Sequence, residues 1–477
     1  MTLTRRKLLG YGALAGLAVP VAMQAHWLSR DFTRPGYSPE IPPAPPGRQI
    51  WRNWSGYQVA TPEQIYSAAS EEELATRIAA WPGRIRPVGS GHSFSALVPC
   101  EDMILDTGRL SGLISVDAAA GMATFGAGTR LRQAAMLAAE HGLGFANLPD
   151  IDVQTLAGSF STATHGTGRG LQALHGCITG FRLITADGTI RDVTRNSDPD
   201  LFDAGRVSLG TLGVITRYTL KLVPSYALNR KLFILPTNEA IARMHDLAAA
   251  HRNFEFYVLP NLGYAAVITH DLYQGEIAGR VPSEDEDWIA TLKDLRDILG
   301  WWPWLRRRAF GAYVALEVPA DGVLEDTTDE YWKLLSTARA TRMNEMEYHL
   351  PEDRAQEAVR AVVSALESRK ESFFPMEVRF TGQDDAWLSP FNDGTRVSVA
   401  VHKLASEPLD MLFDTIEPIL REHGGRPHWG KLHALTAPDL TALYPEFDRF
   451  AALRARLDPA GKFLNPHTAA LFGAGDV

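Results

Sequence analysis

Apolar and polar positions alternate along the chain in two rhythms. Between Arg84 and Val223, short β-prone runs over residues 103–105, 122–125, 181–186 and 214–223 are separated by glycine turns and helical stretches. Residues 129–140 repeat apolar side chains at helical spacing, with Leu131, Ala135 and Ala138 on one face and Thr129 placed to cap the start. Asp187 and Gly188, between two β-prone runs, predict a hairpin. Beyond Pro224 glycine thins out and longer helical periods appear over residues 238–250 and 352–369, with β-prone runs over 254–259 and 396–402. Residues 440–457 read as one helix that stops at Pro459, Ala460 and Gly461. No repeat of fixed period is present, and the pattern is α+β rather than a regular βαβ alternation. These shifts predict two domains, residues 50–224 and 225–477.

The first residues follow a third pattern. Arg5, Arg6 and Lys7 precede an apolar stretch over residues 8–23 that is broken by Gly10, Gly12, Gly16 and Pro20, and the arrangement resembles a twin-arginine export signal. No clean Ala-x-Ala precedes His26, so residues 1–25 read either as a cleaved signal or as a membrane anchor. Export and a possible tether are therefore expected. Residues 26–49 are a linker, proline-rich over 35–47 and too proline-rich there for helix or sheet.

Composition narrows the function classes. Hydrophobic residues at 45% and charged residues at 22% are those of an ordinary globular protein, and a net charge of -9 without a basic block excludes a nucleic-acid partner. Cys100 and Cys177 are too few for a disulfide scaffold or a thiolate metal site; they read as free buried thiols, and no metal is expected. Residues 300–310 crowd Trp301, Trp302 and Trp304 against Arg306, Arg307 and Arg308. That composition suits a membrane surface, or else a Pro-kinked loop folded onto the domain.

Three glycine-rich stretches carry the chemistry of the first domain. They are Pro87, Val88, Gly89, Ser90, Gly91, His92 and Ser93; residues 157–168, with Gly158, Ser159, Ser161, Thr162, Thr164, His165, Gly166 and Gly168; and residues 210–216, with Gly213 and Ile215. Glycine leaves backbone N–H groups uncovered and the hydroxyls add donors, so such loops can wrap phosphate oxygens. None is a Gly-x-Gly-x-x-Gly turn opening a helix, which disfavours a nicotinamide-type Rossmann domain. In this order they resemble the flavin domain (PCMH type) of the vanillyl-alcohol-oxidase superfamily. The resemblance implies FAD bound between two small α+β subdomains, followed by an α+β substrate domain. His92 falls where aldonolactone and alditol oxidases carry a histidine joined to the flavin 8α-methyl, which implies covalent attachment. A neutral imidazole held in a tight turn can act as that nucleophile. His165 is implied to be structural, within the stretch that wraps the phosphates.

Two motifs of the second half complete the resemblance. Glu377 and Arg379 stand at i and i+2 among apolar neighbours, so on a strand both leave one face, and a buried charge pair is costly unless function keeps it. His428, Trp429, Gly430 and Lys431 closely resemble the motif near the C-terminus of sugar-lactone and alditol oxidases. The likeness spans about residues 50–470. It implies that Glu377 and Arg379 hold substrate hydroxyls over the flavin and that Lys431 stands near the reacting oxygen. His402 lies on a strand-like run between the motifs and faces either the same pocket or the core. Hydride loss from carbon requires the attached hydroxyl to lose its proton to a base or a water, and fixed cations stabilise the charge that develops.

The implied activity is oxidation of a sugar-1,4-lactone, of the D-arabinono-1,4-lactone oxidase kind, with O2 or a membrane electron carrier as acceptor. Alditol oxidation is the alternative, and a non-catalytic flavin-binding protein at a membrane is a more distant one. If the leader is read as a twin-arginine signal, Arg5→Lys with Arg6→Lys should leave the folded enzyme in the cytoplasm on cell fractionation. Undiminished activity beyond the inner membrane would remove the export reading.

Overall fold

The computed structural model describes residues 21–41, 43–280, 285–337, 339 and 341–475. Residues 1–20, most of the leader, lie outside them.

The first unit is a three-stranded parallel sheet with Met103–Asp106 between Gln64–Ser67 and Ile85–Val88. Helix Glu71–Ala80 joins the outer two strands, a βαβ unit that the glycine-centred sequence pattern does not reveal. Its start is set locally. Ser70 accepts the Glu73 N–H at 3.2 Å, and three glutamates in the first turn suit the positive end of the helix. Leu74 and Ile78, one turn apart, are fully buried against Ile85, Met103 and Leu105.

The second unit is a five-stranded antiparallel sheet, ordered Ile190–Thr194, Ile178–Ile184, Val214–Lys221, Met122–Gly126, Leu113–Asp117. The hairpin foreseen at Asp187 and Gly188 is present, with Ile184 paired to Ile190 and the Asp187 carboxylate accepting from Thr185 Oγ1 and the Thr189 N–H. The helix foreseen from residue 129 begins at Leu131, and Thr129 does not cap it. Its hydroxyl donates instead to the Gly126 carbonyl at 2.6 Å and closes the buried turn before the helix.

From Ala227 onward an eight-stranded antiparallel sheet dominates, and its inner strands run Asn253–Leu259, Met376–Thr381, Arg396–Leu404, Met343–Pro351. Side chains alternate between its faces. On one face Phe256, Val258, Met346, Tyr348, Val378, Phe380, Val399 and Val401 are buried and apolar, packed beneath helices Thr237–Ala250 and Glu352–Glu367. On the other, Glu255, Tyr257, Glu345, Glu347, Glu377, Arg379 and His402 stand in register across four strands.

The expected helix over 440–457 is two, Ala437–Leu443 and Phe447–Leu457, because Pro445 cannot continue the hydrogen-bond ladder. The Trp/Arg segment is no loop either, since Pro303–Glu317 is a helix with proline in its first turn. Both cysteines are free thiols, Cys100 buried and Cys177 partly so.

The chain end returns to the first sheet. Ile85 donates to the Lys462 carbonyl at 2.8 Å, and the Asn465 amide donates to the carbonyls of Ala96 and Pro99. Arg86, 1% exposed, donates to the carbonyls of Leu97, Leu209, Gly210 and Phe463, so one guanidinium holds the first glycine stretch, the third, and the C-terminal segment together. Burial brings it down to about 10, still charged at neutral pH. Arg86→Met would strand four buried carbonyls. It should cost about 3 kcal/mol or more of stability in urea unfolding of the cofactor-loaded protein, with Arg86→Lys recovering only part.

Candidate functional site

The three glycine stretches and the polar sheet face enclose one cleft of about 1480 Å³, mouth included. It runs from the first glycine stretch to the strands that carry Glu347 and Arg379. Pro87 to Ser93 line it at the end of strand Ile85–Val88. Gly91 has φ +67°, and a Cβ on Gly89 would collide with Thr155 Oγ1. Gly158, Ser161, Thr162, Thr164 and His165 line it from the second stretch, Gly213 and Ile215 from the third. Gly213 has φ +144°, where a Cβ would collide with the Ile184 carbonyl. Ser161 and Ser208 share a hydrogen bond of 3.1 Å that joins the two stretches. Bare backbone and hydroxyl donors along a deep cleft fit the pyrophosphate of FAD.

Three expected contacts are not on the cleft wall. The Ser159 hydroxyl is turned inward to the Leu156 carbonyl at 3.0 Å; Gly166 is pressed against Leu148 and Asn147; the Gly168 N–H donates to the Phe380 carbonyl at 2.7 Å. Gly168 lets the end of the second stretch run along strand Met376–Thr381.

His92 stacks on Trp54, with ring centroids 5.2 Å apart and planes 24° apart. Burial, with Lys431 and Arg130 adding to it, brings its imidazole down to about 4. The ring is neutral at physiological pH, with a lone pair available for bonding.

Beneath the loops, Arg379 is surrounded by carboxylates, at 3.2 Å from Glu377, 3.5 Å from Glu347 and 3.8 Å from Asp150. Burial would weaken its hold on the proton, but Glu377 and Asp150 outweigh that and raise it well above the ordinary arginine range. The acids divide. Burial, reinforced by Asp150 and Glu255 against Arg379, holds Glu377 well above the usual carboxyl range. Glu347 lies well below it because His165 and Arg379 outweigh burial, and Asp150 is lowered by Arg379 and Arg339 against the same penalty. The Tyr257 hydroxyl lies 2.6 Å from Glu377 Oε1 and 2.8 Å from Asp150 Oδ2. With one hydrogen it donates to one of them only. A protonated Glu377 donating to Tyr257, and Tyr257 to the Asp150 carboxylate, satisfies all three.

Lys431 donates to Glu345, whose other oxygen is 3.6 Å from His402 Nε2. His402 Nδ1 lies 2.9 Å from the Pro375 carbonyl, which requires the proton on Nδ1 and leaves Nε2 unprotonated towards the cleft. Burial lowers the pKa of this ring as well. His428 shapes its loop by accepting the Gly430 N–H at 3.0 Å, and His165 Nε2 meets Glu347 at 2.9 Å, tying the second stretch to the sheet.

The structure therefore brings Glu377, Arg379, His402 and Lys431 together on one wall with His92 nearby. Sequence reasoning missed Asp150, Glu255, Tyr257, Arg339, Glu345 and Glu347. Glu345 and Glu347 repeat the i, i+2 spacing that singled out Glu377 and Arg379, and that was the available signal.

Residues 62–194 match an FAD binding domain family, and residues 218–471 match D-arabinono-1,4-lactone oxidase. The chain is 35% identical to an L-gulono-1,4-lactone dehydrogenase of Mycobacterium tuberculosis, over 89% of this chain and 99% of that one. It is 28% identical to the L-gulonolactone oxidase of Bos taurus, over 88% and 98%, and 28% identical to an alditol oxidase of Streptomyces, over 87% and 96%. Its fold is that of the cholesterol oxidase from B. sterolicum, with TM-score 0.73 at 17% identity over 91% of this chain and all of that one. With residues 62–194 and 218–471 matched in turn by these two families, the chain belongs to the D-arabinono-1,4-lactone oxidase family and is an FAD-dependent oxidoreductase.

Proposed function

We propose that the protein oxidises a hydroxyl-bearing carbon of a sugar-1,4-lactone. In this reading residues 50–224 hold FAD and residues 225–477 hold the substrate. The observation that carries it is the meeting of Glu377, Arg379, His402 and Lys431 on one buried wall below the glycine loops. FAD, when bound, accepts the hydride. The chain's own groups do the rest. The Arg379 guanidinium donates to hydroxyl and ring oxygens, and Glu377 Oε2 and Asp150 accept from hydroxyls, so a small uncharged polyol ring is oriented without a net charge of its own. His402 Nε2 takes the proton of the reacting hydroxyl, and the Lys431 ammonium stabilises the oxygen as that proton leaves. The electron acceptor is O2 or a membrane carrier, and the leader delivers the enzyme to the outer side of the cytoplasmic membrane.

His402→Gln should slow anaerobic bleaching of the bound flavin by lactone about 100-fold while leaving FAD content unchanged. The wild-type rate should fall only as pH drops below the ordinary histidine value of about 6.5, because the native ring gives up its proton more readily than a free one. A panel of 1,4-lactones and alditols identifies the substrate, and bleaching by alditols alone would replace the lactone reading.

The cofactor is bonded to His92 in this proposal, supported by the neutral ring on the cleft wall and its stacking on Trp54. Wild-type protein should keep yellow fluorescence in a denaturing gel. His92→Ala should remain folded with FAD that is released on denaturation, and equal fluorescence from both would disprove the bond.

A further inference from the structure

Helix Pro303–Glu317 exposes Trp304, Arg307, Arg308, Ala312, Ala315 and Leu316, and no acidic or neutral polar side chain. Helix Glu352–Glu367, also at the surface, shows the ordinary arrangement, exposing Asp353, Arg354, Glu357, Arg360 and Ser364. Trp304 is 55% exposed and Leu316 66%, and the Arg308 guanidinium lies over the Trp304 ring. Arg306 of the same helix is 1% exposed and packed inward with Leu305, Phe310 and Tyr313. A surface helix with a tryptophan, a leucine, small residues and arginines has the composition of one that lies in a bilayer interface.

The second observation is where the leader joins the body. Helix Val21–Leu28 packs on helix Asp285–Leu299, which in turn packs on Pro303–Glu317. Trp301 Nε1 donates to Gln24 Oε1 at 2.6 Å, Gln24 Nε2 donates to the Ile298 carbonyl at 3.2 Å, and Trp27 Nε1 donates to the Arg296 carbonyl at 3.0 Å. A line of rings continues outward, Trp301 to Trp302 at 5.2 Å and Trp302 to Trp304 at 6.2 Å. The helix that follows the apolar run of residues 8–20 in sequence is therefore fastened to the base of this line of rings, and its Met23 is 51% exposed.

From this continuity we infer that the outer face of helix Pro303–Glu317 and the end of the leader form one docking surface for a lipid bilayer rich in anionic headgroups. The inference rests on reading the leader as an export or anchoring segment. No helix among the described residues is long and apolar enough to cross a membrane, so the contact of this helix is interfacial. Its indole and leucine side chains enter the headgroup boundary, and Arg308 meets lipid phosphates, Arg307 being paired with Glu367 at 2.7 Å. The substrate and its cofactor are bound elsewhere in the chain, so the surface adds a location to the enzyme and not a step to its chemistry.

The test uses the full chain with protein-free vesicles of phosphatidylglycerol and phosphatidylethanolamine. A polarity-sensitive dye is attached at Ala312→Cys; burial pushes the Cys177 thiol up to about 12, which keeps it from competing for the label. The dye emission should shift to the blue on vesicle addition, whereas a label at Thr76→Cys, exposed on helix Glu71–Ala80, should not respond. Trp304→Glu with Leu316→Glu should abolish the shift and lower vesicle affinity about tenfold or more, with anaerobic flavin bleaching unchanged. Sedimentation with vesicles without a shift at residue 312 would leave the leader as sole anchor and overturn the surface, as would equal shifts at residues 312 and 76. An equal response to pure phosphatidylcholine would overturn its anionic preference. Absence of lactone bleaching with the shift intact would instead remove the substrate reading.

Discussion

Arg379 brings a charge that no protein environment removes into a position 6% exposed, and the rest of the site is arranged around that constraint. Desolvating a guanidinium costs several kcal/mol, and only close, well-directed counter-charges offset it. These come from two parts of the chain. Glu347 stands on strand Met343–Pro351 of the large sheet, separated from the strand of Arg379 by Arg396–Leu404, while Asp150 arrives from the loop ahead of the second glycine stretch. Docking the two parts neutralises the charge, and docking them also builds the polar wall of the cleft. The opposite, apolar face of the same strands supplies the ordinary driving force for folding.

The same crowding sorts the carboxyls. Three acids around one cation cannot all be ionised in so little water, so one keeps its proton, and geometry makes that one Glu377. The wall then offers carboxyl acceptors and two cations, a set suited to a ring dense in hydroxyls. The neutral histidines follow from burial as well. A ring kept uncharged is an acceptor at His402, and at His92 it keeps the lone pair that the proposed bond to the cofactor requires.

Much of this could be read from the chain before folding. The glycine stretches, Glu377 with Arg379, and the run ending at Lys431 were legible because glycine and buried charge are both unusual where they stand. The missing partners were not legible for a physical reason. Glu345, Glu347 and Tyr257 alternate with apolar residues, which is also how a half-exposed strand looks, and only the cofactor loops laid over them make that polar face an interior one. Asp150 sits in a loop whose path depends on the whole fold. Local rules failed where tertiary contacts competed. Thr129 had a capping residue's chemistry, but its hydroxyl was taken by Gly126; Ser159, Gly166 and Gly168 had the loop's composition but faced its packing side. Pro445 was a plain breaker inside an otherwise convincing helical run.

The four carbonyls gathered by Arg86 belong to residues as far apart as Leu97 and Phe463. The nest that receives the cofactor is therefore not finished when the segment that supplies most of it leaves the ribosome. It waits for the final turns of the polypeptide, some 250 residues later, to close it from behind. Flavin uptake is in consequence a late event in the life of the chain, and a product that stopped short of Phe463 would reach that moment with a lining but no back.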